Sequence, residues 1–265
     1  MKKLKIAATA VLVSLFTTTA HAQGSWDNGI SIWLDVTDFL YEEPGVMKQE
    51  GTLVGAGGSY TWQVTDLSRL RIQGDWRVGT TDYTGGTQSG IPGTSEADDR
   101  VARIEINWGL VAPLDAGTFT ADIGFGVRDW DQDLKDGQTI HGDPMLGYER
   151  GHRYQYIPIG LGWQSHAQGR SWRWHIGGGY QYVTSGEARA DIGGGTTRFS
   201  MNDGYGARFN AGITWYEVLV PRLGFDLYAQ RWDFDRSSIE AIGNSLFVEP
   251  ENETTELGLK LIVGW

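Results

Sequence analysis

The segment 254–265, TTELGLKLIVGW, alternates without a break. Leu257, Leu259, Leu261, Val263 and Trp265 share one parity, and Glu256, Gly258, Lys260, Ile262 and Gly264 the other. Successive side chains of a strand point to opposite faces, so this segment offers one apolar face and one mixed face. The same period runs back through the chain. Ile30, Ile32, Leu34 and Val36 set it first, and runs over 54–64, 70–78, 102–108 and 119–127 repeat it. Further runs over 157–163, 172–182, 207–215 and 223–229 bring the set to about ten strands, each near the ~10 residues that cross a bilayer at a tilt.

The connections add a second regularity, because they alternate in length. TDLS, APLDAG, SHAQGRS and EVLVPR are short, whereas YEEPGVMKQEG, TGGTQSGIPGTSEADD, DQDLKDGQTIHGDPMLGYERGH, SGEARADIGGGTTRFSMNDG and DFDRSSIEAIGNSLFVEPE are long. This combination predicts an all-β fold, an up-and-down antiparallel transmembrane β-barrel with short periplasmic turns and long extracellular loops. On that orientation Trp62, Trp108, Trp163, Trp172, Trp215 and Trp265 fall at the turn ends of strands, on the apolar parity. An indole ring suits that level, half buried with its N–H wet, so these six residues are expected to form an aromatic girdle. Trp265 then belongs to a final strand that closes the barrel against the first. Pro158 lies inside one run and lacks a ladder donor, so a bulge is expected there.

At the other end Lys2, Lys3 and Lys5 precede an apolar run from Ile6 to Phe16, and Ala20-His21-Ala22 supplies small residues at a cleavage spacing. This reads as a secretory signal peptide over 1–22, cleaved near Ala22, with the barrel domain over 23–265. The chain has no cysteine, hence neither a disulfide framework nor a lipoprotein acylation site. Its net charge of −11 becomes more negative once the three lysines leave, which argues against nucleic acid as a partner.

On the mixed parity stand Arg71, Arg77, Arg103, Arg128, Arg173, Arg208 and Lys260, against Asp35, Asp75, Glu105, Asp122, Asp226 and Glu256. These charges nearly cancel, and an isolated buried charge costs several kcal/mol, so they are expected to form a lumen network of salt bridges. Register places Arg103 level with Asp75 and close to Asp122, and Lys260 near Asp226. His175 joins the network as a satisfied interior histidine. Glycines such as Gly160, Gly162, Gly177 and Gly179 leave room for arginines and for Tyr154, Tyr156 and Tyr228. A ten-stranded barrel so filled holds a plugged lumen or a narrow channel.

The segments YEEPGVMKQEG and RWDFDRSS…VEPENETTELGL, with the terminal Val263 and Trp265, resemble those of the small porin-like outer-membrane β-barrel proteins of Gram-negative bacteria. The resemblance implies an outer-membrane location, contact with outer-membrane lipid and lipopolysaccharide, and recognition of the last strand by the barrel-assembly machinery. Trp265 stands where Phe is commoner, and Gly258 does not sit at the usual glycine offset. The resemblance carries no chemistry, no cofactor and no oligomeric state.

Two other classes compete. Omptin-type proteases are also ten-stranded and set paired acids opposite an Asp-x-His element. Asp82, Asp98 and Asp99 imitate the acids, but the fourth long loop has no histidine, and His141 and His152 on the third lack that spacing. The His-x-Ser pair of barrel lipases is absent, so the reading is not an enzyme. A loop-based binding or adhesion protein is the other alternative. DWDQDLKDG invites a calcium reading, but the EF-hand spacing fails at Lys135, which leaves a solvated acidic loop and no metal site.

Overall fold

A computed structural model describes residues 28–86, 90–166, 171–192, 195–201, 203–217, 219–242 and 245–265. The expected signal peptide and its cleavage site lie outside the described residues. Ten long strands follow one another: β1 (Gly29–Glu43), β2 (Met47–Thr65), β3 (Ser68–Gly86), β4 (Pro92–Leu114), β5 (Gly117–Leu134), β6 (Glu149–Ser165), β7 (Trp172–Ile192), β8 (Gly204–Tyr216), β9 (Arg222–Phe234) and β10 (Asn252–Gly264). Each pairs antiparallel with the next, and β10 pairs with β1 from Ser31↔Gly264 to Glu42↔Glu253, so the sheet closes on itself. Short arms over Gly137–Thr139, Pro144–Met145 and Gly195–Ser200 extend the ladder at the loop end.

The period of two persists along whole strands, but its phase inverts. In the lower part of β1 the outward residues are Ile32, Leu34 and Val36, 49 to 64 % exposed, while Asp35 and Thr37 point inward and are buried. Above Val36 the outward residues turn polar, starting at Asp38, and the inward ones become Phe39 and Tyr41, both fully buried. β5 inverts likewise between outward Val127 and inward Trp130. A wall with apolar side chains outside and polar ones inside suits hydrocarbon; the reverse suits water around a dry core. The inversion therefore marks the upper edge of the lipid-facing band, and the strands stand well beyond it. β8, β9 and β10 have 13 residues each, close to one span, whereas β4 has 23.

This height corrects three expectations. YEEPGVMKQEG is not a long loop: β1 and β2 run through it and leave Pro44, Gly45 and Val46 as a tight turn, with Gly45 at φ 75°. DWDQDL is strand, not loop, and its outward Asp129, Asp131 and Asp133 pair with Arg153, Arg189 and Lys135. His152 likewise sits on β6 and points into the barrel, 1 % exposed. Pro158 does not make a bulge. The β5–β6 ladder skips from Ile123↔Ile159 to Gly126↔Tyr156 with no change of register, as a missing donor requires. The register shift lies between Gln155 and Tyr156, against β7.

Candidate functional site in the barrel lumen

From the turn end upward, the lumen has three layers. The lowest is a vestibule of about 260 Å³ that reaches the lower strand ends at Ser31, Arg222 and Gly264. Arg69 of β3 binds Asp122 of β5 through both carboxylate oxygens, at 2.9 and 3.0 Å. The intervening strand permits this because Gly109 stands between them, where a Cβ would lie 2.1 Å from the Asp122 carboxylate. Asp122 thus pairs with Arg69 rather than with Arg103. His175 Nε2 lies 3.2 Å from Asp226, whose oxygens also accept from Asn210 at 3.3 Å. Lys260 is the ladder partner of Asp226 and of Asp35, but among the described residues its ammonium forms no ion pair. It lies over the rings of Trp33 and Tyr228, 4.9 and 4.8 Å from their centroids. Arg173 lies over Tyr216 at 4.9 Å. Arg71 lines the vestibule with its Nε buried and without a hydrogen-bond partner.

Above the vestibule lies a belt of ion pairs that crosses the lumen. Glu256 of β10 is fully buried and takes Arg77 of β3 at 2.7 Å and Arg128 of β5 at 2.8 Å. Asp75 takes Arg103 at 2.6 Å, and Arg103 reaches Gln230 of β9 at 3.0 Å. Glu105 of β4 binds Arg208 of β8 at 2.9 and 3.0 Å and accepts from the Tyr156 hydroxyl at 2.8 Å. Glu105 and Arg208 form a separate pair, whereas Asp75, Arg77, Arg103 and Arg128 join through Glu256 into one network. Its hub, Glu256, shares their parity, yet strand order alone does not reveal its partners. Tyr228 donates to Asp35 at 2.9 Å and can reach there because its ring passes over Gly258.

The top layer is aromatic. The Arg128 guanidinium lies 5.8 to 5.9 Å from the ring centroids of Trp130, Tyr154 and Trp232. Trp130 stacks on His152 at 4.8 Å, and Tyr154 on Phe234 at 4.1 Å. At the mouth, Arg150 binds Glu43 at 2.6 Å and also Glu249, a residue of the loop between β9 and β10. Burial alone would raise the Glu249 carboxyl, but Arg150 and a 3.1 Å contact with His152 Nε2 outweigh it and bring its pKa down to about 2. Burial lowers His152. Asp99 pairs with no cation among the described residues. Burial pushes its pKa up to about 6, and hydrogen bonds from Thr81, Trp130 and Gln49 offset only part of that rise. Parity alone would have admitted Arg69 to the network; Glu43, Arg150 and Glu249 sit beyond the lipid-facing band, where no apolar outer parity flags a strand.

The six girdle tryptophans lie at the turn end of the wall, and Trp62, Trp108 and Trp265 are 46 to 57 % exposed there. Trp265 N–H donates to Ile30 O at 2.9 Å across the closing seam. Outward charges above the band pair along the ladder, as Arg198–Glu187 at 2.6 Å and Arg231–Asp233 at 3.0 Å. The acid–histidine geometry of a protease is not assembled among the described residues. Asp82 and Asp98 face outward, Asp99 faces inward, and the Trp130 ring separates Asp99 from His152.

No family model matches the chain, and no curated protein matches it. Its fold is similar to that of the outer membrane protease OmpT of Escherichia coli, at 11 % identity and a TM-score of 0.59, over 92 % of this chain and 99 % of that one. An outer membrane channel from Pseudomonas putida F1 aligns at 11 % identity and a TM-score of 0.38, over 93 % of this chain and all of that one. Neisserial surface protein A aligns at 10 % identity and 0.36, over 91 % and 100 %. The likeness of fold rests on the first. The chain has the closed, ten-stranded architecture of the outer-membrane β-barrels.

Proposed function

We propose that this is an integral protein of the Gram-negative outer membrane whose lumen is plugged, so that it does not act as an open pore. The observation that carries the reading is the Arg77–Glu256–Arg128 bridge across the lumen, fully buried at its centre and covered by an aromatic layer. On this reading such a stack interrupts the polar path for water and solutes. A buried pair of this kind resists opening, because separation strands a charge at a cost of about 3 to 5 kcal/mol. The lipid-facing band and the short turns support an orientation with the vestibule toward the periplasm and the aromatic layer toward the cell exterior. The outward charge pairs just above the band support contact with lipopolysaccharide headgroups, and the closing strand with Trp265 supports handling by the barrel-assembly machinery. A proteolytic role like that of the OmpT neighbour has no support in the lumen, where His152 and Asp99 are both enclosed.

Planar-bilayer recording on refolded protein tests this. The parent chain is expected to be silent at neutral pH, and Glu256→Gln combined with Arg128→Ala to give conductance steps. Steady steps from the parent chain would overturn the plugged reading.

A further inference from the structure

The vestibule carries more positive charge than its own carboxylates neutralise. The groups acting electrostatically on Arg71 are Arg69, Asp122, Arg208 and Glu105. Arg69 is taken up by Asp122 and Arg208 by Glu105, each through two hydrogen bonds. That leaves Arg71 over. Among the described residues it forms no ion pair, and its Nε is buried without a hydrogen-bond partner, yet the residue is part of the cavity wall. Lys260 stands in the same wall against two aromatic rings, with Asp75 and Asp35 acting on it from further off and no direct ion pair among the described residues. The rest of the charged lining has partners, Arg103 in Asp75, Asp226 in His175 and Arg222 in the Ile30 and Trp265 carbonyls, while Gln73 and Asn210 are neutral.

A guanidinium with a buried, unpartnered Nε and no direct ion pair is held at a cost, and two oxygens of a carboxylate or phosphate match its fork of donors. Elsewhere in the same wall, the rings that flank Lys260 offer an apolar surface to the body of a small molecule. We propose that the vestibule is a binding site, open to the periplasm, for a small solute carrying a phosphate or carboxylate group, with Arg71 as the principal contact and Lys260 as the second. This goes beyond the plugged-lumen reading and does not depend on it, since the site is reached from the turn end whether or not the barrel conducts.

The test is calorimetric titration of the refolded barrel, in zwitterionic detergent, with inorganic phosphate and separately with acetate. A parallel arm adds phosphatidylglycerol to the micelles, to separate a lipid headgroup from a free solute. Saturable one-site binding is expected for phosphate or acetate, at least tenfold weaker in Arg71→Gln and in Lys260→Gln, and unchanged in the outward-facing Arg231→Gln. A second readout guards against misfolding. Because Arg71 lacks a partner, Arg71→Gln should unfold at the same or a higher urea concentration than the parent, and added phosphate should stabilise the parent but not the variant. Binding that Arg71→Gln leaves intact, equal displacement by chloride, or a response to phosphatidylglycerol alone would overturn the proposal.

Discussion

Glu249 hangs the loop between β9 and β10 on the barrel wall, through Arg150 and His152, and the loop is further tied where Glu249 N–H donates to Ser237 Oγ at 2.9 Å. Its carboxyl titrates near 2 in the folded state, below its ordinary value, so the docking energy is fully present above about pH 4.5 and is lost as pH falls toward 2. The loss amounts to about 2 to 3 kcal/mol. Limited proteolysis of the segment 236–248 should therefore accelerate between pH 4.5 and 2 with the barrel still folded, and Glu249→Gln should show the fast rate already at pH 7. A loop equally resistant in Glu249→Gln would mean that its other contacts hold it.

At the scale of the strand, β10 separates two environments with adjacent residues. Leu261 faces lipid and Lys260 faces the vestibule, so Leu261→Arg should cost about 2 to 4 kcal/mol and Lys260→Leu should leave assembly largely intact. Folded yield in outer-membrane fractions, read by gel shift, decides between them; the opposite ranking would swap inside and outside. The strand existed in the sequence as strict alternation, and so did its nine fellows. What the alternation did not convey was where each strand ends, because above the lipid-facing band the apolar set moves to the inner face. DWDQDL then reads as an acidic loop when it is a strand carrying Trp130, Gln132 and Leu134 inward. Partners across the lumen were hidden for a different reason. Ladder order predicts neighbours such as Arg103 and Asp75, but Glu256 meets Arg128 from the far side of the ring, and only side-chain reach determines that.

For the molecule as a whole, closure and orientation make two expectations. Unboiled detergent samples should migrate differently from boiled ones, because the continuous ladder from β1 to β10 survives detergent until heated. An affinity tag inserted at Gly90 should be labelled on intact cells, and one between Asp115 and Ala116, in the turn joining β4 and β5, should not; reversed labelling would invert the topology. Closure also has an order in time. Glu256 lies on β10 and Glu249 just before it, so the carboxylates that engage Arg77, Arg128 and Arg150 arrive with the last strand. The first nine strands alone would keep Asp75 beside Arg77 and Glu43 beside Arg150, but would leave Arg128 without its carboxylate. On the plugged-lumen proposal, joining β10 to both β9 and β1 completes the neutralisation of the interior, so an intermediate that lacks β10 should conduct and the finished barrel should not.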